Sequence, residues 1–277
     1  MKNHSAIGRL FFAIAMIASG ILQVIRQDFV RLVPKTAMLI PWPHAWATAS
    51  GAVLVVLGLA IITQRKSRLA SLGLAGLFFA VLMLYLPEIV SNPGALFVWG
   101  NPCKTLALLS GALLLAGMSP PPNISVAGLT LARARLLCAV CLGVFLVLCG
   151  IMHFVYLDFV VQMVPAWMPG RSFWAYFTGM ALLAGGVGIN FPLTARVAAL
   201  LTGLMIFLWV VMLHLPRAFA SWPEAGETAA IFEALALSGM PLLLAASART
   251  IEPIEAEKSL PAKGQGGPKP GGSFLGR

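Results

Sequence analysis

The sequence is poor in charged residues: Asp, Glu, Lys and Arg make up only 10% of its 277 residues, whereas 59% are hydrophobic. A soluble domain of this length needs far more polar surface. The shortage of charge excludes a soluble globular protein and predicts a chain that resides in a lipid bilayer.

The sequence also lacks the motifs of common soluble enzymes. It has no GxxxxGKS phosphate loop, no glycine-rich dinucleotide fingerprint, no HExxH and no GxSxG motif. Lys and Arg outnumber Asp and Glu by 19 to 9, but the basic residues flank helices and form no patch interleaved with aromatics. We therefore expect membrane lipids, and no nucleic acid, as partners of the basic segments.

The sequence does contain an internal repeat. The segment Gly20 to Pro34 reads GILQVIRQDFVRLVP, and the segment Gly150 to Pro165 reads GIMHFVYLDFVVQMVP. The similarity continues through both halves in these matched pairs: Trp46 and Trp174, Gly51 and Gly179, Arg68 and Arg196, Pro87 and Pro216, Gly111 and Gly239. Such a repeat indicates a duplicated fold unit.

Apolar stretches predict the membrane-spanning helices, each of which needs roughly 20 residues. Eight stretches meet or approach this length: 10–25, 45–62, 69–86, 105–118, 136–156, 173–189, 197–215 and 229–246. We predict an all-α polytopic membrane protein with eight transmembrane helices, built as two tandem four-helix bundles in parallel orientation. The first unit covers 1–118, a proline-rich cytoplasmic linker 119–131, the second unit 132–248, and a disordered cytoplasmic tail 249–277.

Charge is distributed unequally between the two membrane sides. With eight spans, 13 of the 19 Lys and Arg residues lie on the side of the N-terminus, and every acidic residue before the tail lies on the other. Positively charged loops stay on the cytoplasmic side. The pattern predicts a multi-pass protein of a bacterial inner membrane with both termini in the cytoplasm.

Polar residues near the outer helix ends differ between the units. Gln23 of the first unit aligns with His153, Tyr85 with His214, and Thr105 approximately with Glu233. Histidine exchanges protons near neutral pH and a carboxylate can stabilise its cation, so His153, His214 and Glu233 are the candidate catalytic residues.

Aromatic residues of the second unit lie near the same end. Trp174, Tyr176 and Tyr156 are candidates to hold the ring of a lipophilic cofactor. The alternative is structural: Trp and Tyr form an interfacial belt, and the histidines bond to water at headgroup level.

Cysteines provide a weaker signal. Cys138 and Cys141 form a CxxC motif, a spacing used in dithiol exchange and metal binding, but small apolar packing explains them equally, and no nearby base would activate a thiol. We predict no metal site. His153 and His214 could in principle ligate haem, but no second histidine pair is present, so haem is not favoured.

The second unit resembles the DoxX-like family of small four-helix membrane proteins. The residues that carry the resemblance are GIMHFVYLDFVVQMVPAWMP, FWAYFTGMALLAGGVGI and ARVAALLTGLMIFLWVVMLHLP. The first half resembles the family more loosely, because Gln23 replaces the histidine and the loop before Pro41 is longer. The resemblance implies a four-helix bundle per unit and, for some relatives, membership in membrane complexes that pass electrons from sulfur compounds to quinone.

Three functions remain open from the sequence. The leading hypothesis is binding of a quinone or another lipophilic small molecule within a membrane redox system, with a redox partner subunit; whether the chain itself is an enzyme stays open. The first alternative is a non-enzymatic membrane carrier or assembly factor. The second is a small-molecule transporter, which would need broken helices at corresponding positions of the two halves.

Overall fold

The computed structural model describes residues 3–119, 130–221 and 225–259, and all regular secondary structure in them is helical. Eight helices are long: α1 (Asn3–Arg26), α2 (Pro43–Ile62), α3 (Ser67–Leu84), α4 (Gly100–Met118), α5 (Leu131–Val155), α6 (Arg171–Gly188), α7 (Ala195–Trp209) and α8 (Ala225–Ser259). Short helical segments connect several of them: Lys35–Leu39, Leu86–Ser91, Leu96–Trp99, Leu157–Met163, Val210–His214 and Leu215–Ala220.

The composition of the long helices suits a bilayer. Within the described residues, six are long and apolar enough to cross a membrane: α1, α2, α3, α5, α7 with its extension, and α8. The all-helical polytopic fold class is therefore confirmed. The other two predicted spans, α4 and α6, are present as helices, but polar residues such as Lys104 and Arg171 in their first turns lower their hydropathy.

The eight helices form one closed bundle. Each packs against the next along the chain, α8 packs along α1, and α4 contacts α8 in the middle. A single hydrophobic core joins residues of both halves, among them Phe12, Leu108, Leu142 and Met240. The two repeat units thus share their core, since the first helix of one packs on the last helix of the other.

The bundle has two distinct ends. At the loop end, α1, α3, α5 and α7 finish and the even-numbered helices begin, with long connections over residues 27–42 and 156–170. At the basic end, Arg65 and Lys66 lie in the short connection between α2 and α3, and Arg68 and Arg196 lie in the first turns of α3 and α7. Since each unit contains four helices, both units start at the basic end and run in the same direction.

The same close helix contact recurs in both units. Gly20 of α1 lies against Gly51 of α2 so closely that a Cβ on either glycine would overlap the other's carbonyl oxygen. In the second unit, a Cβ on Gly150 would lie 3.0 Å from the carbonyl oxygen of Gly179. Small residues permit such approach between membrane helices. The sequence repeat is therefore also a repeat of helix register.

Both units interrupt their third helix at the same aligned position. α3 gives way to the short helix Leu86–Ser91, and α7 passes into a π-helical turn, Val210–His214. The repeated proline follows each break; it has no N–H to donate, and its ring clashes with the carbonyl of the preceding turn. The breaks fall at Tyr85 and His214, at the loop end of the bundle.

The end of α8 differs from the prediction. The helix continues to Ser259, past residue 249, where disorder was expected to begin. Residues 249–259 are rich in Glu, Ala and Lys, which favour helix, and they extend an existing helix without a new nucleus. Residues 260–277 and linker residues 120–129 lie outside the described part of the chain.

Candidate functional site

The loop end contains an ion pair between the two units. Lys104, near the start of α4, donates a 2.7 Å hydrogen bond from Nζ to Oε2 of Glu233 on α8. The ammonium also donates to Oδ1 of Asn101, at 3.2 Å. The side chains of Lys104 and Glu233 are only 18% and 11% exposed, so solvent screens their attraction weakly. The pair ties one repeat unit to the other.

Two polar atoms near this pair are buried without a hydrogen-bond partner. They are Oε1 of Glu233 on α8 and Nδ1 of His214 in the π-helical turn, which packs against α8. An unpaired buried polar atom costs about 1–3 kcal/mol. Turns of π-helix within α-helices are also frequent at functional sites. These atoms are the strongest indication of a ligand site at the loop end.

Similar unpartnered atoms occur elsewhere in the described residues. They are Nε of Arg68, Oγ of Ser71 and Nε of Arg171. Arg68 and Ser71 lie near the basic end, and the Arg171 guanidinium already donates to the carbonyl of Gln162, at 3.1 Å. The Glu233 and His214 atoms differ because both belong to proton-exchanging side chains, on two elements that pack against each other at the loop end.

A second ion pair, between Arg217 and Glu227, lies just after the π-helical turn that ends at His214. Arg217 binds both carboxylate oxygens of Glu227, at 3.0 Å from Nε and 2.7 Å from Nη2, and its Nη1 contacts Sδ of Met163 at 2.8 Å. The charges of Glu227, Arg217 and Arg31 all act on His214. This pair fixes the segment after the π-helical turn against the start of α8.

His153 lies in the last turn of α5, within the second unit. Its Nδ1 lies 2.8 Å from the carbonyl oxygen of Cys149, one turn earlier on α5. Its ring stacks on Trp209 of α7, with centroids 6.2 Å apart and planes 24° from parallel. Close packing under His153 is possible because Gly179 of α6 has no side chain. His153 thus faces α7, the helix that continues into the π-helical turn containing His214.

Of the predicted aromatic residues, Tyr176 is exposed, whereas Trp174 and Tyr156 are half-buried. Trp174 donates from Nε1 to the carbonyl of Pro169 at 3.1 Å and packs edge-on against Phe173 and Phe177. Tyr176 packs on Phe154 and is 48% exposed. Tyr156 lies in the break between α5 and Leu157–Met163. Trp209, which the sequence did not single out, is the aromatic residue stacked on His153.

The first unit has satisfied groups at the aligned positions. Gln23 Nε2 donates to the carbonyl of Ala47 at 3.0 Å and to Oγ of Ser50 at 2.8 Å. The Tyr85 hydroxyl donates to the carbonyl of Leu32 at 2.6 Å. At these two aligned positions the polar groups of the first unit have partners, whereas Nδ1 of His214 in the second unit has none. The contrast matches the asymmetry of residue type read from the sequence.

The cysteines form no disulfide. Cys103, Cys138, Cys141 and Cys149 are all free, and Cys138 and Cys141 are buried in the shared core. Across residues 3–119, 130–221 and 225–259, no group of three His, Cys, Asp or Glu side chains could hold a metal ion. The CxxC motif contributes to helix packing, and its role in redox chemistry stays a prediction.

The bundle and its apolar helices define a polytopic α-helical membrane protein. Residues 4–86 match the DoxX family, and residues 142–249 match a domain of unknown function, DUF8561. The resemblance to the DoxX family is thereby confirmed for residues 4–86, which belong to the first unit, whereas the sequence had placed it mainly on the second. No curated protein and no solved structure matches the chain.

Proposed function

We propose that the second unit binds a lipophilic small molecule with paired oxygens, such as a quinone, between the π-helical turn and α8. The observation that carries this proposal is the pair of buried, unpartnered atoms, Nδ1 of His214 and Oε1 of Glu233. A ligand that bonds to both would offset the cost of leaving them unpaired. Their position near one end of apolar helices suits a ligand that arrives through lipid.

The chemistry of the two groups fits a quinone and its quinol. A protonated Nδ1 of His214 donates a hydrogen bond to a carbonyl oxygen, whereas Oε1 of Glu233 accepts one from a hydroxyl. When bound, a quinone supplies two-electron, two-proton chemistry. Lys104 holds the other oxygen of Glu233, which fixes the direction of Oε1.

In this account the protein is a component of a membrane redox system, located in a bacterial inner membrane with both termini cytoplasmic. The support is the DoxX match over residues 4–86 together with the charge difference between the two ends. Reporter fusions at both termini test the orientation. Opposite locations of the termini would contradict it.

One observation favours a second candidate, a small-molecule transporter. Both units break their third helix at the aligned positions Tyr85 and His214. Interrupted helices at corresponding positions of two repeats are typical of transporter binding sites. The broken segments of this chain lie at the loop end, so quinone binding remains the leading proposal. Uptake of a labelled solute into proteoliposomes, abolished by His214→Phe, would instead support transport.

A binding titration tests the leading proposal. Protein in lipid nanodiscs is titrated with a short-chain ubiquinone analogue, and saturable binding is measured by calorimetry. We expect His214→Phe, which keeps the ring and removes the polar atoms, to weaken binding at least tenfold. The matched control is His44→Phe, because His44 is an exposed histidine of the first unit at the same end. Wild-type protein without saturable binding, or equal weakening in both variants, would refute the proposal.

A further inference from the structure

A groove opens at the basic end of the second unit, far from the site described above. It has a volume of about 250 Å³ and lies between α5, the turn joining α6 to α7, and α8. Its walls include Arg135, Leu136, Ala139, Asn190, Arg196 and Leu244. Small-ligand sites begin at about 300 Å³, so this groove suits a headgroup better than a whole lipid.

The groove is positively charged. Arg135 belongs to α5 and Arg196 to α7, and neither forms an ion pair with a side chain of residues 4–119, 130–221 or 226–247. The ion pairs Lys104–Glu233 and Arg217–Glu227 lie at the loop end. Two guanidinium groups on separate helices can bind a phosphate group from two sides. The positive charge of the groove therefore favours binding of an anion.

The floor of the groove is apolar and opens towards the lipid. Ile189 and Leu244 are 2% and 3% exposed and form its base, whereas Leu136 is 66% exposed on the outer surface of α5. A free anion gains nothing from such a floor. A molecule with both a phosphate group and an acyl chain satisfies both parts of the groove.

The first unit lacks this combination of residues. Arg196 has a counterpart in Arg68, but the residue aligned with Arg135 is Ser5 and the one aligned with Asn190 is Ile62. The groove is thus a property of the second unit alone, and the repeated fold does not by itself require these polar residues.

We infer that the groove binds an anionic glycerophospholipid, with the phosphate held by Arg135 and Arg196 and one acyl chain lying along Leu136. The shared chemistry with a free anion is the phosphate group; the apolar floor and the membrane position favour the lipid. This inference is independent of the proposed quinone site.

Native mass spectrometry tests the inference on the full chain. Protein is released from nanodiscs that contain equal parts of phosphatidylglycerol and phosphatidylcholine, and the retained lipid is identified. We expect phosphatidylglycerol to be retained at least fivefold over phosphatidylcholine. The double variant Arg135→Gln, Arg196→Gln should reduce that preference to below twofold. The matched control Arg133→Gln, which changes a basic residue of α5 outside the groove walls, should keep it.

Two further experiments complete the test. Competition with inorganic phosphate distinguishes a lipid site from a free-anion site, and a second variant blocks the groove without removing either arginine. Inorganic phosphate at millimolar concentration should not displace the lipid; displacement would reveal a free-anion site and overturn the inference. Ala139→Leu keeps both arginines and fills the groove, so it should lower lipid retention as strongly as the double variant does. Equal retention of both lipids by wild-type protein, or full retention by Ala139→Leu, would also overturn it.

Discussion

Lys104 of α4 and Glu233 of α8 form a 2.7 Å ion pair that crosses from one repeat unit to the other. The pair directs one carboxylate oxygen of Glu233 to the lysine and leaves the other buried without a hydrogen-bond partner. A structural contact between the units thereby orients a group of the proposed site. If the proposed ligand binds there, we expect its binding to be coupled to the stability of the shared core through Glu233.

Breaking this ion pair from one side should destabilise the protein. Lys104→Met leaves the Glu233 carboxylate without its cation, and we expect a loss of about 2 kcal/mol, below the 3–5 kcal/mol of fully buried pairs because both side chains retain some exposure. The double variant Lys104→Met, Glu233→Gln should recover part of that loss. Thermal unfolding midpoints in detergent check this. A double variant less stable than Lys104→Met would contradict it.

The glycine contact between α1 and α2 should not tolerate a methyl group. Gly20→Ala places a Cβ against the carbonyl oxygen of Gly51, so the helices must separate, with a cost of about 1–3 kcal/mol. Gly76→Ala is the matched control, since nothing lies within 4 Å of a Cβ there. That change should stabilise α3 by about 0.5–1 kcal/mol. Similar unfolding midpoints for the two variants would disprove the close contact.

Arg217 should control the mobility of Leu215–Ala220. Arg217→Lys keeps the positive charge but loses the two-point contact with Glu227. Both side chains are partly exposed, so we expect less than about 1 kcal/mol of global destabilisation. Hydrogen exchange over residues 215–220 should nevertheless become faster. Unchanged exchange in this segment would show that the ion pair does not hold it.

The CxxC cysteines should be reduced and slow to react. Cys138 is fully buried, whereas Cys103 and Cys149 are partly exposed. Labelling with a small maleimide should therefore reach Cys103 and Cys149 before Cys138. Intact mass of purified protein should show four free thiols. A disulfide between Cys138 and Cys141 would contradict the packing role and revive the redox interpretation.

Much of the fold could be predicted from the sequence. Crossing a bilayer requires long apolar stretches, and duplication of a unit leaves a repeated pattern in the sequence. The repeat indicated a duplicated unit, and only the structure shows that its matched glycines are where α1 meets α2 and α5 meets α6. The packing of α1 on α8 was not predictable. Sequence similarity between the halves shows which helices are equivalent, but it does not show whether a helix packs within its own unit or against the other unit. The helical extension to Ser259 was missed because polar composition was taken to mean disorder.

Part of the candidate site was predictable because the two aligned units carry different residues at the loop end. Differences between the aligned units single out His153, His214 and Glu233, but they do not show which atoms remain unpaired. Lys104 was overlooked because the predicted span began at residue 105, one position later. Trp209 was overlooked because a tryptophan inside an apolar run reads as lipid-facing, and only the fold shows it stacked on His153. Tyr176 lies instead on the outer surface, and Trp174 packs against Phe173 and Phe177.

The central claim is that an open polar site lies in the second unit, between the π-helical turn and α8. Photo-crosslinking with an azido-quinone in nanodiscs, followed by peptide mapping, tests it most directly. The account predicts label in peptides covering 205–220 and 226–237, competed away by unlabelled quinone. Label confined to the first unit, or spread without competition over all lipid-facing helices, would contradict it.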